Sequence, residues 1–164
     1  MSADKTLSHE SALHTSWSRD HPPGLRVESG TTVEFDCLND SGPRITPDTE
    51  SSDLPDTEFV GHHLTGPVAV DGAEPGDVLQ VDILDVAVDD WGYTLVRSGE
   101  RGVGLLPEEF PDPFLYHWEI DDDVAHFEAG IEVPLAPFPG VVGVAPAQPG
   151  EHETGPPRHV GGNM

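Results

Sequence analysis

"GPVAVDGAEPGDVLQVDILDVAV", residues 66–88, decides the fold class. Val68 and Val70 open a short strand. Ala73–Asp77 reads as a turn, because Pro75 pre-sets φ and Gly76 supplies the positive φ of a type II geometry. Beyond the turn, Leu79, Val81 and Ile83 fall on one face of an extended chain, and Leu84, Val86 and Val88 fall on the other. That change of face predicts a strand with a bulge, or one buried on both sides.

The same grammar runs outward in both directions. Glu28-Ser29-Gly30 reads as a turn. After it Thr31, Val33, Phe35 and Cys37 alternate with Thr32, Glu34 and Asp36, the period of a half-buried strand. Cys37 sits on the apolar face, where it reads as a small core hydrophobe. "WGYTLVR" (91–97), "PFLYHWEI" (113–120), "VAHFEAGIEVPL" (124–135) and "GVVGVAPAQPG" (140–150) are further short strands between glycines and prolines. "AEPGD" at 73–77 is echoed by "AQPGE" at 147–151. Leu106–Phe110 has room for one helical turn. Residues 39–58 carry six acids and many Ser, Thr and Pro, and read as a solvated loop. Many short strands with few helices predict an all-β sandwich or barrel. Residues 1–21 read as a polar segment ahead of a β domain over 22–164.

Charge sets the environment. Asp and Glu total 31 against 7 Lys and Arg, a formal net charge of -24 in 164 residues. A field of that sign repels nucleic acid and anionic membranes, so neither is an expected partner. Acidic chains with few aromatics can be disordered, but here the apolar residues come in strand-like blocks with the tryptophans among them. A folded protein of a high-salt cytoplasm fits that pattern, since dense carboxylates stay hydrated where water is scarce. Cys37 is the single cysteine, so no internal disulfide forms. No window reaches the roughly 20 apolar residues of a membrane helix. The opening "MSADKTLSHE" is unlike a signal peptide. The expected location is cytoplasmic.

The sequence contains no G-x-S-x-G, P-loop, H-E-x-x-H or G-x-G-x-x-G. His62-His63 could supply an acid/base or a metal ligand, or a loop-edge histidine bonded to backbone. Asp36, Asn39 and Asp40 cluster at a strand end; such oxygens suit a hard cation or an ordinary acidic surface. His117 reads as a strand residue packed among aromatics, and His126 as similar. His9, His14, His21 and His152 lie in polar stretches and read as surface. Gly161-Gly162 could offer backbone N–H groups to a polar ligand, or make a tight turn.

Taken together, "GTTVEFDCLND", "HHLTGPVAVDGAEPGDVLQVDILDV", "GIEVPLAPFPGVVGVAPAQPGE" and "PPRHVGGNM" resemble the acetamidase/formamidase family of amide hydrolases, in order, over roughly 22–164. The resemblance implies a mostly β fold and hydrolysis of a small amide such as formamide or acetamide to the carboxylate and ammonia. It implies an oligomer, and leaves room for a bound divalent metal, zinc or calcium. The residues it carries over are His62, His63 and Asn163 for catalysis, Gly161 and Gly162 for substrate binding, and Asp36 and Asn39 for metal. Family members often carry Asp where Asn39 stands, and continue the final motif as G-G-N-M-D into a second half. The expectation is therefore an N-terminal portion of such an enzyme, working as a homo-oligomer or with a C-terminal half. The alternative is an inactive β domain that binds a small ligand or a partner chain.

Overall fold

The computed structural model describes residues 3–39, 44–54, 61–96, 106, 108–155 and 161–162. The fold is all-β, with 3-10 turns at Ser51–Asp53 and Glu128–Gly130. The chain divides into two compact units.

The first unit gathers Met1–Arg44, Val60–Ile83 and Pro139–Met164. Among its described residues the strands pair in twos across long sequence gaps. Lys5–Ser8 runs parallel to Val33–Asp36, and Leu25–Val27 runs parallel to Val68–Val70. Leu13–His14 lies antiparallel to Leu64–Thr65, and Ser16–Trp17 antiparallel to His152–Glu153. Residues 1–21, polar as they are, thus contribute three strands. Leu7, Trp17, Val27 and Leu64 are the buried apolar side chains here. The predicted turns are present. Thr31 N–H donates to the Glu28 carbonyl across Gly30 at φ 87°. Asp77 N–H donates to the Glu74 carbonyl across Pro75 and Gly76, where φ is 104°. Gly150, in the echoed "AQPGE", also takes a positive φ.

The second unit, Ile45–Phe59 with Leu84–Phe138, is a four-stranded antiparallel meander. Its strands are Trp91–Val96, Phe114–Asp121, Val124–Phe127 and Ile131–Pro134. Asp122 turns the central hairpin at φ 51°, a conformation that Asp tolerates better than most side chains. Alternation places Tyr116 and Trp118 on one face, where both meet the Phe127 ring at centroid distances of 4.4 and 5.1 Å. Trp118 Nε1–H donates across the sheet to Thr94 Oγ1. His117 faces the other way against Trp91, as its aromatic neighbours predict, and its Nε2–H donates to the Thr49 carbonyl. The acidic loop is therefore partly docked: Ser51 Oγ accepts from Leu115 N–H, and Ile45 is buried.

Three expectations change. Residues 78–88 form no ladder with any described segment, and Leu79, Val81, Ile83, Leu84 and Val88 are exposed. Two apolar faces need neighbours on both sides, and within this run only Val86 is half-buried. Val33–Asp36 is a strand, but among the described residues only Lys5–Ser8 pairs with it, and Phe35 and Cys37 are exposed. Cys37 is thus not a core residue. Gly161–Gly162 is a two-residue strand against Val142–Gly143, not a turn.

Burial predicts the mutational contrast. Leu7→Ala, at 2% exposure, should cost about 2–5 kcal/mol in a urea titration at fixed high salt. Val78→Ala, at 96% exposure, should stay within about 0.5 kcal/mol of the unmodified chain. Equal costs would contradict this assignment of the core.

Candidate functional site

The polar centre of the first unit is built by three segments that pairing draws together. His14 stands opposite Leu64, and Ser16 stands opposite Glu153. Gly61 sits against the stretch between those two pairings. A Cβ on Gly61 would collide with the Thr15 carbonyl oxygen and crowd Thr154 Oγ1, and its φ is 102°. Only glycine meets both demands without strain. Its successor, His62, is thereby held beside Thr154. His62 N–H donates to Thr154 Oγ1 at 2.7 Å, a contact between residues 92 apart in sequence. His62 Nδ1 is 3.2 Å from the same oxygen. A hydroxyl that accepts the main-chain N–H keeps its own proton to give, and Nδ1 is within reach to accept it. That assignment puts the ring proton of neutral His62 on Nε2.

The Ser16 carbonyl organises the other side. His14 Nδ1–H donates to it at 2.7 Å, and His21 Nε2–H at 3.1 Å. A carbonyl only accepts, so both donating nitrogens carry protons. The lone pair of neutral His14 is then on Nε2. The two rings are 4.6 Å apart between centroids. Partial burial lowers the His14 pKa below 6.5; the Ser16 bond opposes that shift, and the neighbouring His21 adds to it. His14 is therefore a neutral imidazole at neutral pH, the state that accepts a proton. Ser16 Oγ also lies 3.1 Å from His21 Nε2.

The expected residues are distributed unevenly around this centre. His62 is in it, and half-buried His63 leads into Leu64–Thr65. Asp36 is tied to the same strand, because its main-chain carbonyl accepts from Thr65 Oγ1 at 3.2 Å. Its carboxylate accepts from Ser8 Oγ at 2.9 Å and lies 3.1 Å from His9 Nδ1, an ion-pair distance when that ring is charged. The carboxylate stands between the serine and the histidine, so this trio is not a nucleophile relay. Asn39 is half-buried three residues further on. Gly161 and Gly162 belong to a separate ladder. Asn163 and Asp40 lie outside the described residues. Among the described residues, no group of three or more His, Cys, Asp or Glu side chains is placed to hold a metal.

His14, Ser16, His21 and Thr154 are additions to the sequence reading. His14 and His21 are not surface residues but half-buried and hydrogen-bonded. Their stretch has weak periodicity and its partners are far away in sequence, so no local pattern marks them. The short run H-T-S-W, followed by "HPPG", is the one signal: polar residues that pair on both sides of a tryptophan.

The comparisons agree with this fold. The model of the Acetamidase/Formamidase family matches residues 1–161. The formamidase of Methylophilus methylotrophus is 29% identical over 153 residues, covering 88% of this chain and 37% of that protein. The crystal structure of an acetamidase from Bacillus halodurans superposes with a TM-score of 0.83 at 30% identity, covering 96% of this chain and 52% of that one. A gamma lactamase from Delftia acidovorans superposes with a TM-score of 0.79, also at 30% identity, over 87% of this chain and 38% of that one. The chain thus spans little more than a third of the length of the curated relatives it matches. On the match over residues 1–161, the chain belongs to the acetamidase/formamidase family.

Proposed function

We propose that this chain carries part of a centre that hydrolyses small linear amides, formamide or acetamide, to the carboxylate and ammonia. The observation that carries the reading is the pairing of two differently protonated imidazoles, His14 and His62, in one neighbourhood of a family fold of amide hydrolases. Water attacks the carbonyl carbon while His14 Nε2 takes its proton. His62 Nε2–H steadies the oxyanion of the tetrahedral intermediate, and protonated His14 then returns its proton to the leaving nitrogen, giving ammonia and the acid, which ionises to the carboxylate. The Ser16 and Thr154 bonds hold the two rings in these tautomers. A divalent ion, zinc or calcium, would polarise the carbonyl oxygen. Its ligand set would have to draw on residues outside those described, and no step above passes through it.

Association with the rest of a family chain, and work as an oligomer in a salt-rich cytoplasm, belong to the same proposal. Every described Asp and Glu is exposed, which supports the salt adaptation. Among the described residues no helix is long and apolar enough to cross a membrane.

Three outcomes follow. Ammonia release is measured at molar KCl with the complementary portion of a family enzyme supplied. His14→Gln should lower kcat/KM about 10²–10⁴-fold. The unmodified protein should lose rate as pH falls through the His14 pKa, which burial holds below that of an ordinary histidine, and His14→Gln should lack that limb. An unchanged rate in His14→Gln removes it as the base. The thermal midpoint should also rise steadily from low salt to molar KCl, as screening relieves a net charge of -24. A midpoint independent of salt contradicts the adaptation.

A further inference from the structure

The stretch from Ala12 to Gly24 closes on itself, and "HPPG" at 21–24 is what closes it. The chain runs out along Leu13–His14 and Ser16–Trp17, both paired to distant strands. It turns at Ser18, a buried residue whose Oγ accepts the Asp20 N–H at 3.2 Å. His21 begins the return. Pro22 restricts the backbone of His21 to extended conformations, and Pro23 does the same to Pro22. Gly24 pins the far end. A Cβ there would collide with Ala12 Cβ and crowd Leu7 Cδ1, and the Gly24 N–H donates to the Pro67 carbonyl at 3.0 Å. Ala12 is itself fixed, because its carbonyl accepts the Gly66 N–H at 3.1 Å. His21 is thus delivered to His14 by a stiff segment seated on Ala12, two residues before His14.

The two rings meet at the Ser16 carbonyl. A carbonyl oxygen has two lone pairs. His14 Nδ1–H takes one at 2.7 Å, and His21 Nε2–H takes the other at 3.1 Å. His21 Nε2 also lies 3.1 Å from Ser16 Oγ, so both oxygens of that serine hold the His21 ring in place. The ring centroids are 4.6 Å apart, with a tilt of 36° between the planes. His14 cannot swing toward the second lone pair, because His21 occupies it. We propose that His21 is a positioning residue for His14, acting through the Ser16 carbonyl that both rings share. The proposal rests on the reading of His14 as the base.

The consequence falls on the proton that His14 carries through the reaction. Once Nε2 is protonated, the His14 ring is a cation and its Nδ1–H bond to the shared oxygen tightens. His21 competes for that oxygen, and a charge on His21 opposes one on His14. The proton is therefore returned more readily to the leaving nitrogen. Burial is the largest cause of the lowered His14 pKa; the Ser16 bond opposes the shift and His21 adds to it. The other titratable groups on the elements around His14 are His63 ahead of Leu64–Thr65, His62 beside Thr154, and exposed Glu153 opposite Ser16. Arg19 and Asp20 of the turn are exposed. The charge that bears on the His14 ring is that of His21.

The test compares His21→Gln with His21→Leu. A glutamine Nε2 stands where the His21 Nε2 stands, so it keeps the donor and loses the charge; leucine loses both. In protein with labelled histidines, nuclear magnetic resonance follows the tautomer and titration of His14, its signals identified by their loss in His14→Gln. Neutral His14 should carry its proton on Nδ1 in the unmodified chain and in His21→Gln, and should mix both tautomers in His21→Leu. The His14 titration midpoint should move to higher pH in both variants. In ammonia release at molar KCl, with the complementary portion of a family enzyme supplied, His21→Leu should lower kcat/KM about 10–100-fold. His21→Gln should recover most of that loss. A His14 tautomer and midpoint that ignore both variants overturn the proposal, and so does a glutamine variant as slow as the leucine variant. If His21→Leu fails to fold, the midpoint in His21→Gln decides alone. His14 signals that respond to His21 in a protein that releases no ammonia support the positioning and sink the amidase reading instead.

Discussion

The antiparallel pairing of Ser16–Trp17 with His152–Glu153 is the constraint on which the centre of the first unit depends. It places Thr154 beside Gly61 and His62, whose N–H the Thr154 hydroxyl accepts. It holds the Ser16 carbonyl where His14 and His21 both donate to it. Remove that ladder and the two imidazoles lose the partners that set their tautomers. Each of these bonds is modest alone, roughly 1 kcal/mol for a typical intramolecular hydrogen bond. Their joint effect is chemical rather than energetic: one ring is left with a lone pair on Nε2, the other with a proton there.

The balance of charge and apolar surface follows a different logic. Carboxylates occupy the exposed positions, and Leu7, Trp17, Val27 and Leu64 supply the buried apolar side chains of the first unit. Meanwhile, in the run from Val78 to Val88, every large apolar side chain but half-buried Val86 is exposed.

Where sequence and structure agree, the information was local. The meander Trp91–Pro134 was legible strand by strand, because alternation, aromatic cross-strand pairs and the two-residue Asp122–Asp123 turn are neighbour effects. The Pro75–Gly76 turn was legible from backbone stereochemistry alone. The candidate site was legible at His62 and Asp36 through family motifs, and illegible at His14, Ser16, His21 and Thr154. Those four depend on pairings across the length of the chain, which no window of periodicity contains. The strand drawn through 78–88 fails for the complementary reason. Its pattern is correct for a strand, but a strand also needs an edge to pair with, and that edge is not among the described residues. Phe35 and Cys37 fail likewise, since alternation marks an apolar face without saying what covers it.

The assembled site requires that Ser16 and Glu153 face each other across a two-stranded ladder. Cross-linking reads that directly. Ser16→Cys and Glu153→Cys, introduced together in a Cys37→Ser background, place Cβ atoms within the roughly 4.5–5.5 Å of directly opposed strand residues. Mild oxidation should join them rapidly, and peptide mass spectrometry should find residues 16 and 153 linked. Linkage no faster than in the out-of-register pair Ser16→Cys with Glu151→Cys would contradict the ladder, and with it the assembled site.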